Sequence, residues 1–268
     1  MKWEEEFCLL YLKGEMEKAF NLRDENFPEN MKLYKYQNIA KCRISSLLKG
    51  DIYFSKRSAL NDPFELDPVY YDIDRIVKKG ITIEQIKKIM KDFYENMGVL
   101  SLSSRPDNMP LWTHYGDEHR GICVEYDINS IDKNEHKEFY ERIFKAVYTN
   151  ERIDITNTIE RTIEMIKNNV YSDTFDRRTL ILLISMLIKQ KDWLYEDEWR
   201  ILWEFEKCNG GCYKSPMEVS AIYIGKDCNK DDINLIKGVA NSIKCDLYKM
   251  AYSEKISEYR LTYEKVEL

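Results

Sequence analysis

The sequence predicts an α+β protein with a mixed or antiparallel central sheet and helical insertions. Apolar residues alternate at 32–36 and 121–126, as they do in half-buried strands, whereas they recur at helical spacing over 154–190. No repeat, low-complexity tract or Pro/Ser-rich linker divides the 268 residues. We therefore expect a single domain over residues 1–268.

The first third of the chain is predicted to form a helix followed by a strand, a helix and a strand. Residues 3 to about 24 carry an apolar stripe among Glu and Lys, which predicts an amphipathic helix that forms a lid or arm within residues 1–30. Asn38 is a suitable N-cap for the next helix, and Gly50 is a suitable stop. These elements are the strand 32–36, the helix 39–48 and the strand 51–55.

The rest of the chain alternates between helices and short strands. Thr82 can cap a helix that runs to about Asn96, and Pro110 can open a single helical turn. Residues 180–188 are apolar nearly all round, which predicts a buried helix. The strand 198–205 is predicted to be central, with 219–224 as its neighbour. The other predicted elements are the strands 99–103, 121–126 and 142–148, the helix 231–243, and the strands 246–250 and 259–266.

Composition and charge exclude several function classes. The net charge of −6 and the pI near 5.4 leave no general basic field, so we expect no nonspecific nucleic-acid binding. No apolar run approaches the roughly 18 residues of a membrane span, and the N-terminus is too acidic for a signal peptide, so a cytoplasmic protein without membrane association is expected. The seven Cys are irregularly spaced and indicate free thiols in a reducing compartment.

Aromatic residues supply 13% of the chain, including 19 Tyr and 5 Trp. Rings of this kind can stack on a nucleotide base, although a Tyr-rich core has the same composition. Cys208 and Cys212 flank a tight turn, but no second close pair follows, and we expect no metal. Neither a Gly-rich phosphate loop nor a serine nucleophile elbow is present in the sequence.

The segment around residue 198 contains the first candidate site. In an extended chain Glu196, Glu198 and Arg200 share one face, so two carboxylates flank one position. Such a pair, kept ionised by Arg200, suits reactions that develop positive charge on a sugar. Trp193 and Tyr195 lie beside the motif as candidate ligand-binding residues. The alternative is a salt bridge on a solvated strand face.

A second candidate site combines a loop and a helical turn. Asp62 precedes a proline, which predicts a rigid loop whose candidate binding residues are Asn61, Asp62, Phe64 and Glu65. A well-capped structural loop is the alternative. The helical turn contributes Trp112, His114 and Tyr115, followed by His119. The two histidines are either metal ligands, together with Cys123 or Glu125, or structural side chains.

Two strands add the remaining candidates. Tyr34, Lys35 and Tyr36 place a cation between two aromatic rings on the first strand, although a Lys at the edge of a core strand gives the same pattern. Ser101 and Ser103 put two hydroxyl groups on one face of another strand.

Four ordered motifs give a resemblance to a known family. They are Leu33-Tyr34-Lys35-Tyr36, then Tyr53-Phe54-Ser55 leading into Leu60-Asn61-Asp62-Pro63-Phe64-Glu65, then Trp112-Thr113-His114-Tyr115 with His119 and Gly121, and then Lys189 with Trp193 to Arg200. With these motifs the chain resembles the bacterial family called domain of unknown function 2971 over residues 32 to about 225. Residues 226–268 would add a C-terminal helix and strands. The resemblance implies kinship and no particular activity.

The chain also resembles ADP-ribosyltransferases of the arginine-specific type. These enzymes carry a basic residue on the first strand, a Ser-x-Ser strand motif and a Glu-x-Glu motif whose second Glu is catalytic. The same order here is Lys35, then Ser101-x-Ser103, then Glu196-x-Glu198, with Lys in place of the expected Arg or His.

That resemblance implies NAD as a co-substrate. Glu198 would hold the ribose hydroxyl and stabilise an oxocarbenium ion, Glu196 would orient the acceptor, and Ser101 would support the site. Tyr53 or Tyr115 would stack on nicotinamide.

Three hypotheses follow from the sequence. The first is an NAD-consuming transferase or glycohydrolase with Glu198 essential, acting in bacterial defence (including phage defence) or toxin systems. The second is a noncatalytic module that binds a small nucleotide or a protein partner of unknown identity. In the third, the motifs form a buried polar network that only holds the insertions together.

Overall fold

A mixed, mostly antiparallel sheet of nine strands lies at the centre of the computed structural model, which describes residues 2–62, 68–168 and 184–267. The strands are β1 (Lys32–Gln37), β2 (Asp51–Tyr53), β3 (Ser55–Lys56), β4 (Val69–Tyr70), β5 (Met97–Ser103), β6 (Ile122–Asp127), β7 (Ile143–Lys145), β8 (Val147–Thr149), β9 (Ile153–Asp154), β10 (Ile188–Gln190), β11 (Glu198–Glu204), β12 (Cys212–Lys214), β13 (Glu218–Ile224), β14 (Asp246–Tyr252) and β15 (Leu261–Lys265). The helices are α1 (Trp3–Lys13), α2 (Met16–Glu25), α3 (Lys41–Lys49), α4 (Ile73–Lys78), α5 (Ile83–Asn96), α6 (Met109–His114), α7 (Lys137–Glu141), α8 (Thr156–Lys167) and α9 (Lys230–Ile243). The predicted α+β class is confirmed.

The large sheet has the order β15–β14–β13–β6–β1–β5–β11–β7, and β3 pairs beside β5. Among these neighbours β13 and β14 are parallel, and the other pairs are antiparallel. The prediction that 219–224 lies next to 198–205 is wrong, because β13 pairs with β6 and β14 while β11 pairs with β5 and β7. The intervening strand β12 pairs with β2, which carries the chain away from β11 before β13 begins.

The sheet has a gap beside β5. On one side β5 pairs with β11 along its whole length. On the other side it meets β1 at Tyr34–Ser103 and β3 at Ser55–Val99 and Lys56–Gly98. Residues 100–102 therefore have no strand neighbour on that side within the described part of the chain. This gap opens into the cleft described below.

The N-terminal segment belongs to the core. The single helix predicted for residues 3–24 is two helices, because Gly14 adopts the left-handed conformation at the end of α1. Phe7, Tyr11 and Ala19 are buried against β5, β7 and β10 side chains. The expectation of a lid or arm is therefore wrong for this segment.

Several other boundaries differ from the prediction. The helix expected to reach residue 188 instead gives way to β10 at 188–190, which pairs in parallel with β8, and residues 180–183 lie outside the described ranges. The strand expected at 142–148 is two strands separated by Ala146. β7 pairs with β11, and β8 pairs with β10. Ala40, not Asn38, is the N-cap of α3. The Thr82 cap and the Gly50 stop are confirmed.

No helix within the described residues is both long enough and apolar enough to cross a membrane.

The close approach of β5 to Phe54 gives a stability test. A Cβ added at Gly98 would lie 2.7 Å from Phe54 Cβ, and the Phe54 side chain is fully buried. We expect Gly98→Ala to lower the free energy of unfolding by about 1–3 kcal/mol through overpacking. Urea denaturation followed by circular dichroism would measure the change.

Gly238→Ala is the matched control. A Cβ at this position in α9 meets no atom within 4 Å. We expect this variant to gain up to about 1 kcal/mol, because Ala has the higher helix propensity. Equal effects of the two substitutions would contradict the assigned packing.

Candidate functional site

A cleft of about 790 Å³ occupies the gap in the sheet. Its walls come from β1, α3, β2, β5, the α6 turn and the segment 189–198. Most of the predicted site residues line it: Tyr34, Lys35, Tyr36, Tyr53, Asn61, Asp62, Ser101, Ser103, His114, Tyr115, Trp193, Glu196 and Glu198. The structure thus brings together residues that are up to 164 positions apart in the sequence (from 34 to 198).

Glu198 sits at the first position of β11 and is 2% exposed. Arg200 Nε lies 3.0 Å from one of its carboxylate oxygens, and Arg200 Nη2 lies 3.0 Å from the other. Lys189 Nζ donates to that second oxygen at 3.0 Å. Ser101 contributes a further side-chain hydrogen bond. The carboxylate therefore lines the cleft with its charge compensated by Arg200 and Lys189.

Glu196 also contacts the ammonium group of Lys189, but the backbone that places it there is not the predicted strand. Residues 191–196 form a 3₁₀ helix, and Asp197 is left-handed with φ 46°, so strand alternation does not relate Glu196 to Glu198. Even so, Glu196 Oε2 accepts a hydrogen bond from Lys189 Nζ at 2.5 Å, and its other oxygen accepts one from Tyr115 at 2.8 Å. The prediction of a continuous strand is wrong, while the two carboxylates do meet.

Lys189 lines the cleft but was not among the predicted catalytic or binding residues. It is 6% exposed, and its ammonium group bridges the two carboxylates and lies 5.0 Å from the centre of the Trp193 ring. Its short strand β10 follows an apolar run, which made the position appear to be the end of a buried helix. A lone Lys after such a run, a few residues before Glu-x-Glu, was the available signal.

Burial and ion pairing act in opposite directions on Glu198. Burial raises the pKa of a carboxyl group, but Arg200, Lys189 and the hydrogen bond from Ser101 outweigh it and hold the pKa of Glu198 at about 2. Glu198 is therefore ionised at neutral pH. For Tyr115, burial and the neighbouring Glu196 carboxylate raise the pKa of the phenol, so it stays a hydrogen-bond donor.

Lys35 lies across the gap from β5. Its ammonium group donates to the main-chain carbonyl oxygen of Ser101 at 2.9 Å, where β5 has no strand neighbour among the described residues. Ser103 lies deeper, and its hydroxyl donates to the main-chain oxygen of Glu196 at 2.8 Å. The Ser-x-Ser motif thus faces Glu198 with one hydroxyl and fixes the 3₁₀ helix with the other.

Aromatic rings form much of the cleft wall. Tyr36 is held by a hydrogen bond from its hydroxyl to the carbonyl oxygen of Arg105 at 2.7 Å, and Tyr34 lies beside it on β1. Trp193 covers Lys189, while Tyr53 is half exposed at the opposite wall. Flat rings on both sides suit a planar ligand.

Four candidate residues do not line the cleft. Trp112 is completely buried and donates to the carbonyl oxygen of Pro106 at 2.8 Å, and the His119 ring stacks on it at a centroid distance of 6.2 Å. Arg200 lies behind the lining residues and contacts the carboxylate of Glu198. Tyr195 is 37% exposed, and its main-chain carbonyl oxygen accepts from Asn108. Phe64 and Glu65 lie outside the described residues.

The histidines do not form the predicted alternative metal site. Within the described ranges, no group of three or more His, Cys, Asp or Glu side chains is arranged to hold a metal ion. His114 lines the cleft and packs against Tyr115 and Tyr195, whereas His119 lies behind Trp112. The two histidines therefore lie in different environments.

Comparison with known families supports the resemblance found in the motifs. Residues 111–201 match the sequence model of a family described as "Protein of unknown function (DUF2971)". The match includes the α6 turn, Lys189 and the segment from Trp193 to Arg200, so the resemblance is confirmed over this stretch. Searches of curated proteins and of solved structures found no match.

The ammonium group of Lys189, which bridges Glu196 and Glu198, gives a prediction about stability. Lys189→Met would leave Glu196 and Glu198 buried with fewer compensating charges. We expect the free energy of unfolding to fall by about 3–5 kcal/mol, as is typical when one partner of a buried ion pair is removed. Equilibrium urea unfolding measures this free energy. The control Lys18→Met breaks an exposed ion pair with Glu15 and should change the free energy of unfolding little.

The low pKa of Glu198 gives a prediction about pH. Because its pKa falls from 4.5 to about 2 on folding, its ionised form stabilises the fold above pH 4.5, and this contribution is lost as the pH falls towards 2. The difference in unfolding free energy between the wild type and Glu198→Gln should shrink over that interval. A difference that stays constant with pH would contradict the assigned ion pairing.

Proposed function

We propose that the cleft binds NAD and breaks the bond between nicotinamide and ribose, as an ADP-ribosyl transferase or a glycohydrolase. One observation carries the proposal. Lys35, Ser101 and Glu198, the residues that correspond in order to those of arginine-specific ADP-ribosyltransferases, come from the neighbouring strands β1, β5 and β11 and line one cleft.

The size and walls of the cleft support a nucleotide ligand. Small-molecule sites commonly span about 300–1,000 Å³, and the cleft of about 790 Å³ lies within that range. Tyr53 and Tyr115 offer rings for the nicotinamide or adenine. Lys35 and Arg43 supply positive charge for a pyrophosphate group from the β1 and α3 wall.

Glu198 would supply the electrostatic step. When the glycosidic bond breaks, nicotinamide leaves with the bonding electron pair and the ribose carbon becomes positively charged. A fixed, ionised carboxylate stabilises that charge, and the low pKa of Glu198 keeps it ionised. Glu196 would then orient the acceptor. In a glycohydrolase the acceptor is water, whose oxygen bonds to the ribose carbon while its proton is released to the solvent.

A second candidate function is noncatalytic nucleotide binding, and one observation favours it. Arg200 and Lys189 already compensate the Glu198 charge, which weakens its attraction for a developing cation. In this version the cleft binds its ligand and the buried ion pairs only hold the wall in place. A role in bacterial defence is a prediction for either function.

Nicotinamide release separates the two functions. We expect the wild-type protein to show a rise in melting temperature with NAD and to release nicotinamide, measured by chromatography. Glu198→Gln should keep the thermal shift and lose at least about 100-fold in rate, which is the scale seen when one electrostatic stabiliser is removed. A thermal shift without any nicotinamide release would support the noncatalytic function instead.

Two controls make the result specific. Glu218→Gln changes a carboxylate on the exposed end of β13 and should leave the rate unchanged. Because Glu198→Gln also disturbs buried ion pairs, its far-UV circular dichroism and melting curve must show a folded protein. If NAD neither shifts the melting temperature nor yields nicotinamide, the NAD proposal is wrong.

A further inference from the structure

The two lysines that line the cleft have different surroundings. Lys189 contacts two carboxylates, at 2.5 and 3.0 Å. Lys35 donates instead to one neutral acceptor, the main-chain oxygen of Ser101 at 2.9 Å. Within the described part of the chain, no carboxylate lies within ion-pairing distance of Lys35. The Lys35 amine is therefore held in place by a neutral acceptor.

Lys35 also lies where a ligand in the cleft could contact it. Lys35 is only partly buried, and it lines the cleft where the sheet gap leaves β5 without a neighbouring strand among the described residues. The hydrogen bond to Ser101 fixes one direction of the amine and leaves the remaining positions on nitrogen for another partner. An amine of this kind is oriented before a ligand arrives.

The charges around Lys35 come from four elements. Glu198 on β11 and Glu196 on the 3₁₀ helix favour its protonated form, whereas Arg43 on α3 and Lys189 on β10 oppose it. Burial is the largest influence, and the balance lowers the pKa of Lys35 from 10.5 to about 8. At pH 7 about a tenth of such an amine is neutral, compared with less than a thousandth for an ordinary lysine.

We propose that Lys35 is a nucleophilic amine that captures the aldehyde or ketone group of a cleft ligand as an imine. The nitrogen lone pair attacks the carbonyl carbon, giving a carbinolamine. Both amine hydrogens then leave with the carbonyl oxygen as water, so no oxidant or reductant is needed. The reaction is reversible by hydrolysis.

The class of ligand follows from the walls of the cleft. Its aromatic and polar side chains suit a carbonyl compound with a planar or sugar-like body, such as a sugar whose ring opens to an aldehyde. The inference does not depend on NAD cleavage. It would hold for a binding module as well as for an enzyme.

Reductive alkylation tests the proposal. The folded protein would be treated with propionaldehyde and cyanoborohydride at pH 7, which converts each imine to a stable secondary amine, and the alkylated sites would be quantified by peptide mass spectrometry. We expect Lys35 to react at least about tenfold faster than the exposed Lys88. Between pH 7 and pH 10 this advantage should shrink as other lysines also become neutral.

Two variants control the measurement. Lys35→Arg keeps the positive charge and should abolish labelling at position 35 while leaving the other lysines unchanged. Arg43→Ala removes an exposed cation that opposes protonation of Lys35, so labelling of Lys35 at pH 7 should slow by a few-fold. Lys35 labelling that is no faster than that of Lys88 at pH 7 would overturn the proposal, whether or not NAD is cleaved.

Discussion

The ammonium group of Lys189 between Glu196 and Glu198 is the interaction on which the rest of the site depends. Two carboxylates cannot remain ionised and buried side by side without positive charge, because their desolvation and mutual repulsion are both unfavourable. Lys189 and Arg200 provide that charge from β10 and β11. β10 pairs with β8 and β11 pairs with β7, and Ala146 alone separates β7 from β8 in the chain. The strands that carry the two cations therefore pair with adjacent segments of the chain.

The gap beside β5 is the second constraint, and it determines where a ligand can bind. A complete ladder between β1 and β5 would fill this space with backbone hydrogen bonds. Instead, the strands meet at Tyr34–Ser103 and diverge, and the side chain of Lys35 takes one of the acceptors left on β5. The same divergence exposes Ser101 to Glu198 on one side and to the cleft on the other. The sheet therefore supplies both the rigid support of the site and its opening.

The ion pairs of the site influence its chemistry in two ways. They keep Glu198 ionised at neutral pH, which a reaction through a positively charged sugar requires. They also compensate its negative charge with Arg200 and Lys189, which favours a structural role for Glu198. Lys35 differs from Lys189 and Arg200, because its ammonium group contacts a main-chain carbonyl oxygen and not a carboxylate. Transition-state stabilisation by Glu198 and amine chemistry at Lys35 can therefore be tested separately.

The sequence by itself determined the fold class, most strands and the capped helices, because these depend on local periodicity, caps and glycines such as Gly50. Most of the residues that it proposed for the site also line the cleft. Strand partners, the break at Gly14 and the role of Lys189 were decided only by tertiary structure. A short strand such as β10 carries too few residues for periodicity to distinguish it from a helix end, and its partner β8 lies about 40 residues earlier in the chain. The meeting of Glu196 with Glu198 through a 3₁₀ turn likewise depends on where Lys189 is placed in space, which no local pattern encodes.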